Sequence, residues 1–252
     1  MQAVALEVYR RSPQEQERQR CIESLMRGST SLLDAGAREG YYSQLFADRF
    51  RQVIALDLKP LHLRDCDCLA GDLTRLPLRT GSIETVLCTE VLEHIPDLHR
   101  ACAELSRVAS SYIVIGVPYR QDIRIGRVTC HRCGTIGPPW GHVNSFSEEK
   151  LARLFPEFRI VDTRYVGRQR EGTDPVATWL MDFGGNPWGT YDDTTCCVRC
   201  DERPEPPVLR SFIQRAAAVA ALRINGLHER LNPARPIWIH MLFERRTQHP
   251  RS

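Results

Sequence analysis

Between Ser31 and Pro118, short β-rich apolar runs alternate with helical patterns. This alternation constrains the fold more than any other feature, because strands separated by helices build βαβ units and a parallel sheet. Strands are expected at Ser31-Leu33, Gln52-Leu56, Cys68-Ala70, Glu84-Cys88 and Tyr112-Val117. The runs Val53-Ile54-Ala55-Leu56 and Tyr112 to Val117 carry apolar residues without polar alternation, as expected when helices cover both faces. Between the last two strands, Leu98, Ala101, Leu105 and Val108 recur at helical spacing.

Four segments follow from this pattern. Residues 1–30 form an N-terminal helical segment, with a charged helix over Pro13 to Met26 lying over the first strand and ending at Gly28-Ser29. Residues 31–166 form the sheet core, including a cysteine-bearing loop over 119–142, a helix capped by Ser147 and stopped by Pro156, and a strand at Phe158-Val166. Residues 167–236 are rich in Gly, Pro, Asp and Thr and carry a second cysteine pair and an Ala-rich helix near Val208 to Leu222. Residues 237–252 hold a closing strand, Ile237 to Phe243, and a tail. If that strand inserts antiparallel beside its predecessor, residues 167–236 are a hairpin insertion rather than a second domain. The expected fold is α/β: a Rossmann-like, doubly wound, mostly parallel seven-stranded sheet with an antiparallel last strand and a cysteine-rich insertion.

A chain of 252 residues with 42% apolar and 26% charged residues has the composition of a globular protein with a full core. Its 34 basic and 31 acidic residues, net +3, are too balanced to predict a nucleic-acid partner. No apolar stretch has the length of a membrane span, and Met1 to Arg20 lacks a secretory apolar core, so a cytoplasmic protein without membrane insertion is expected. In such a reducing compartment, closely paired members of the ten cysteines read as thiolate ligands.

The strongest local motif is Leu32-Leu33-Asp34-Ala35-Gly36-Ala37-Arg38-Glu39-Gly40, a strand entering a glycine turn and then a helix over Tyr41 to Phe50. Taken alone it is an ordinary tight turn. The ordered set is more specific: Asp57, then Gly71-Asp72, then Glu90-Val91-Leu92-Glu93-His94-Ile95 all fall at carboxyl ends of strands, where open α/β sheets bind ligands. Leu32 to Pro118 resembles the core of class I S-adenosylmethionine-dependent methyltransferases, in the branch with an EVLEHI-type motif. That resemblance implies that Asp34, Gly36 and Gly40 flank the methionine part of the cofactor. It implies further that Asp57 holds the ribose, Asp72 meets the adenine amine and Glu90 closes the pocket. Arg38 stands where the family loop usually has its middle glycine. A pyrophosphate-bearing dinucleotide would tolerate that substitution worse than a sulfonium cofactor.

Cys130-His131-Arg132-Cys133 and Cys197-Val198-Arg199-Cys200 are two Cys-x-x-Cys knuckles, which together supply four thiolates to one tetrahedral zinc. The first follows the strand ending at Pro118 and the second follows the strand ending near Val166, so both leave the sheet from one carboxyl edge. Cys196 is a substitute for Cys197, and His131 and His142 are reserve ligands; the lesser alternative is a redox disulfide. A closed four-cysteine sphere makes the metal structural. The remaining cysteines Cys21, Cys66, Cys68, Cys88 and Cys102 read as packed thiols.

Loops rich in Trp, Tyr, His and Asn, namely Pro118 to Asp122, Pro138 to Asn144 and Gly184 to Tyr191, suit either a pocket for a moderately polar acceptor or a roof over the metal site. His142 is the favoured general base, ahead of His94, Tyr119 and Asp122. Members of the family branch often carry a Cys-x-x-Cys and a Gly-His-x-x-x-Phe stretch like Gly141 to Phe146, which implies methylation of a small molecule, saccharide or lipid-linked precursor. Two other functions are weighed: an RNA methyltransferase gripping substrate with Arg120, Arg124, Arg127 and Arg132, and a non-catalytic, zinc-stabilised cofactor-binding protein.

Overall fold

The computed structural model describes residues 10–191, 196–208 and 211–247. The expected helix near Val208 therefore includes two positions, Leu209 and Arg210, that lie outside the described residues, as do residues 1–9 and 248–252. The chain divides into two compact units, one of Met1–Tyr119, Phe146–Gly167 and Pro236–Ser252, the other of Arg120–Ser145 and Arg168–Arg235.

The first unit is built on a seven-stranded sheet: β1 (Ser31–Ala35), β2 (Gln52–Asp57), β3 (Asp67–Ala70), β4 (Ile83–Thr89), β5 (Ala109–Pro118), β8 (Phe158–Val166) and β9 (Trp238–Arg245). The spatial order is β3-β2-β1-β4-β5-β9-β8. The strands β3-β2-β1-β4-β5 pair in parallel, and β9 runs antiparallel to both β5 and β8. Strand order reverses between β1 and β4, the switch point where doubly wound sheets open a crevice at their carboxyl ends.

Successive side chains on a strand point to opposite faces, and here both faces are covered. Leu33, Val86, Ile115 and Met241 enter one core with Leu105 and Val108 of α3 (Leu98–Val108) and Leu151 of α4 (Glu148–Leu154). Leu32, Leu87, Val114 and Leu242 enter the other, with Phe46 beyond the short α2 (Tyr41–Leu45) and with Ile22 and Leu25 of α1 (Pro13–Leu25). Each large side chain so buried stabilises the fold by about 1.5–3 kcal/mol. Contrary to the expectation that the first helix lies over β1, its main strand contacts are with β8, β9 and β5.

The second unit contains a small hairpin, β6 (Val128–Thr129) and β7 (Ile136–Gly137), and two helices, α5 (Pro175–Phe183) and α6 (Phe212–Leu231). The segment expected to be irregular thus holds α5, with Asp174 as its N-cap accepting from Ala177 N at 2.8 Å and Pro175 in the first turn. The Ala-rich helix begins at Phe212 and continues to Leu231, well past Leu222. Among the described residues no helix is long and apolar enough to cross a membrane.

Candidate functional site

The carboxyl ends of β1, β2 and β4 converge around the glycine turn. Gly36 N and Ala37 N both donate to Leu56 O, at 2.7 and 2.9 Å, and Arg38 N donates to Asp57 Oδ2 at 2.8 Å. The turn after β1 therefore sits directly on the end of β2. Gly36 and Gly40 have φ of 83° and 76°, and a Cβ would meet Val91 at 2.3 Å or Leu63 at 2.2 Å. Local packing already requires both glycines, so they do not by themselves argue for a ligand. Arg38 adopts φ 52° in place of the family's middle glycine, a left-handed conformation that costs a non-glycine residue on the order of 1 kcal/mol.

Asp34 and Asp57 lie on adjacent paired strands, with Asp34 opposite Ala55 and Asp57 two residues on. Asp72 follows β3, is exposed, and accepts from Thr74 N at 2.8 Å, a bond that holds its carboxyl below the usual range. Glu90 follows β4 with φ 58°, and its backbone N donates to Gly116 O at 2.9 Å. The four acids thus occupy four consecutive positions along one sheet edge.

The amino-acid sequence offered no reading of the partners these acids have. Glu15 and Arg18 of α1 are both buried and joined at 3.0 Å, and Arg18 Nη1 reaches Glu90 Oε2 at 2.9 Å. The Arg18 guanidinium also lies 5.4 Å from the centre of the Trp238 ring. Glu15, Arg18, Ile22 and Leu25 share one inward helical face, so two charges aligned with two buried aliphatic residues were the overlooked sign. Glu93 is fully buried and neither carboxylate oxygen has a hydrogen-bond partner among the described residues. Burial, with the Glu90 charge beside it, raises its carboxyl well above the usual range.

Asp34 is 3% exposed and accepts from Ser43 Oγ at 2.6 Å. Burial outweighs that bond and raises its carboxyl to about 6 from 3.8. The folded chain holds this proton more tightly than the unfolded chain does. Its stabilisation is therefore complete below about pH 4 and is lost as the pH rises through about 6, an effect of about 3 kcal/mol. Asp34→Asn keeps the side-chain shape and removes the titration. Its stability relative to the wild type is expected to climb by about that amount between pH 4 and 7 in urea unfolding; a pH-independent difference would show that Asp34 is hydrated. His240, buried and lowered to about 3 from 6.5 by desolvation, acts in the opposite sense and penalises acidification below pH 6.5.

In the second unit, Cys130, Cys133, Cys197 and Cys200 place their sulfurs within 4.8 Å of one another. Cys130 to Cys200 and Cys133 to Cys197 measure 3.6 and 3.5 Å, far outside disulfide bonding. A tetrahedral zinc with bonds of about 2.3 Å requires sulfur separations of about 3.8 Å, so the set fits that ion. The two knuckles are near copies. Cys130 N donates to Thr135 O and Gly134 N to Cys130 O, while Cys197 N donates to Glu202 O and Asp201 N to Cys197 O, all at 2.9 Å. Arg132 bridges them by pairing with Glu202 at 3.0 Å. Cys196 is exposed and outside the cluster. Cys88 and Cys102 are buried thiols whose ionisation desolvation opposes.

His142 Nδ1 donates to Gln121 Oε1 at 2.6 Å, which leaves the basic lone pair on Nε2, and its ring lies 5.7 Å from that of Trp140. Asp122 is partly buried, but bonds from Arg124 outweigh desolvation and lower its carboxyl, making it a poorer base. Tyr119 donates to Glu148 Oε1 at 2.8 Å. Arg124, Arg127 and Arg132 each pair with a carboxylate, namely Asp122, Asp182 and Glu202.

With this geometry in view, likeness to known proteins becomes informative. Residues 33–112 match the family described as Methyltransferase domain. A probable S-adenosylmethionine-dependent methyltransferase of Mycobacterium tuberculosis is 30% identical over 145 residues, covering 54% of this chain and 50% of its own length. The chain spans about half the length of the curated relatives it matches. Among solved structures, a putative methyltransferase from Bacillus halodurans has a TM-score of 0.59 at 12% identity, covering 92% of this chain and 100% of that one. A chain from the complex between the Haloferax volcanii Trm112 methyltransferase activator and the putative methyltransferase has a TM-score of 0.55 at 13% identity, covering 97% and 95%. At such identities the shared property is the fold. The matched segment, residues 33–112, lies within the seven-stranded, mostly parallel sheet unit.

Proposed function

We propose that this chain transfers a methyl group from S-adenosylmethionine to a small-molecule, saccharide or lipid-linked acceptor. The observation that carries the reading is the placement of Asp34, Asp57, Asp72 and Glu90 at successive strand ends flanking the β1–β4 switch point, inside the segment that matches a methyltransferase domain. Asp57 would accept both ribose hydroxyls, Asp72 the adenine amine, and Glu90 with the Asp34–Gly40 turn would bound the methionine part. When bound, the cofactor supplies an electrophilic methyl on a positively charged sulfur. The chain's own contribution is then to align the acceptor for in-line displacement and exclude water.

His142, with its lone pair on Nε2, is the residue proposed to take the acceptor's proton; undiminished turnover by His142→Gln would remove it from this role. Cys130, Cys133, Cys197 and Cys200 are proposed to hold one structural zinc, whose closed sphere leaves no position for substrate. The internal pairing of Arg124, Arg127 and Arg132 disfavours the RNA reading, because those charges are already partly balanced. A non-catalytic binding protein would have little use for so complete an acidic set.

Calorimetric titration with S-adenosylmethionine tests the proposal. Binding at one site is expected, with Asp57→Ala weakening it at least about tenfold through loss of a charge-assisted pair of hydrogen bonds. No heat of binding, or equal affinity in the variant, would overturn it.

A further inference from the structure

Helices α5 and α6 pack with their small residues inward and large apolar ones outward. Ala177, Ala217, Ala218 and Ala221 are buried, and a Cβ on Gly184 would approach Ala218 Cβ at 2.9 Å and Gln214 O at 3.2 Å. On α5 the large residues Val176, Trp179 and Phe183 follow one another at helical spacing and are all exposed, Trp179 by 63%. On α6, Phe212 is 83% exposed, and Val219 and Leu227 are exposed on the same side. Ordinary water-facing helices present the reverse pattern. An apolar surface of this extent marks an interaction site.

The charge on that surface decides what it fits. At one hundred degrees per residue, Arg223 and Arg230 fall on the same outward stripe as Phe212 and Val219. Within α6 the formally charged side chains are Arg215, Arg223, Arg230 and one acid, Glu229. The acids of α5 and its cap are already engaged, Asp182 with Arg127 and Asp174 with His228, each at 2.9 Å. The outward face is therefore apolar and cationic together. Two copies meeting through it would set arginine against arginine. A nucleic acid would satisfy the arginines but leave the aliphatic residues without a partner. An anionic lipid surface satisfies both: phosphates take the guanidinium groups, and the headgroup–acyl boundary takes the Trp, Phe and Leu side chains. Since α6 does not qualify as a spanning helix, the twenty residues would lie flat, about 30 Å along the surface.

We propose that the outward face of α5 and α6 adsorbs this protein onto anionic lipid bilayers. The inference is independent of methyl transfer, since lipid binding is measured without cofactor or acceptor.

The test is co-sedimentation of the full chain with vesicles of phosphatidylcholine alone or containing phosphatidylglycerol. Binding to the anionic vesicles only is expected, falling as salt is raised. Arg223→Gln with Arg230→Gln is expected to weaken it about twenty-fivefold, at roughly fivefold per arginine. Trp179→Ser with Phe183→Ser is expected to abolish it. All four side chains are exposed, so unchanged far-ultraviolet circular dichroism is expected to verify the fold of each variant. The proposal is overturned by absence of binding, by equal binding to neutral vesicles, or by fold-intact variants that bind as the wild type does. Sedimentation velocity showing self-association that the Trp179→Ser, Phe183→Ser variant removes would assign the face to a second copy instead. RNA binding lost in the arginine variant, with no lipid binding, would assign it to nucleic acid.

Discussion

Cys130→Ser is expected to unfold the second compact unit while the seven-stranded sheet persists. The reason lies in how little that unit buries. Its buried apolar side chains among the described residues are Val128, Pro139, Ala177, Pro204, Ala217, Ala218, Ala221 and the cysteines Cys130 and Cys197. Alanines offer little apolar area, and entropic losses on ordering a chain segment run to about 1–2 kcal/mol per residue. Structural zinc in small modules contributes on the order of 10–16 kcal/mol, as much as the whole stability of a typical domain. The ion would also join two stretches far apart in sequence, Cys130-Cys133 and Cys197-Cys200, closing a long loop. Metal analysis is expected to return about one zinc per chain. Chelation or Cys130→Ser should then open residues 168–235 to protease while the sheet core resists. Equal protease resistance with and without metal would show that the thiols pack without an ion.

The second large effect belongs to Arg18. Arg18→Met should destabilise the sheet unit by about 3–5 kcal/mol, because it removes the positive charge between Glu15 and Glu90 and leaves a buried carboxylate without its counter-charge. The melting temperature should fall by roughly 10 °C for a chain of this size. Removing Glu15 as well, in Arg18→Met with Glu15→Met, restores part of the loss, since the buried Glu15 charge is no longer stranded and only Glu90 is left without its counter-charge. A loss below about 1 kcal/mol in the single variant would mean that water reaches the pair, as in exposed ion pairs. Glu90 lies on the proposed cofactor rim, so the same variant is expected to alter S-adenosylmethionine affinity as well as stability.

The parts of the molecule that were legible in the sequence depend on local patterns. Apolar runs such as Val53 to Leu56 and Tyr112 to Val117 revealed the strands because both faces of the sheet are covered, and the last strand's antiparallel insertion followed from its place after β8. The two Cys-x-x-Cys knuckles were likewise visible, and their spatial meeting was expected from the edge at which both excursions leave the sheet. Helix α5 was missed although its start is marked by Asp174 and Pro175 and its end by Gly184. All of its residues but Thr178 and Asp182 are apolar, so no polar face sets off the helical period of Val176, Trp179 and Phe183. The Glu15–Arg18–Glu90 cluster was illegible for another reason: it joins the first helix to the end of the fourth strand, a pairing that no local spacing encodes. The same holds for Asn186, which is buried in the second unit and donates to Thr129 Oγ1 and Asp182 Oδ1, both at 3.0 Å.

Strand β9 occupies the position between β5 and β8, yet it is the last strand to be synthesised. A nascent chain that has reached Val166 has no hydrogen-bonding neighbour for the outer edge of β5, and β8 has nowhere to attach until the residues of β9 leave the ribosome. Ile113 to Val117 would spend that interval as an open, strongly apolar edge prone to wrong pairing. Translation speed through the segment linking β8 to β9, and any helper that shields exposed strands, should therefore govern how much of this protein reaches its native state.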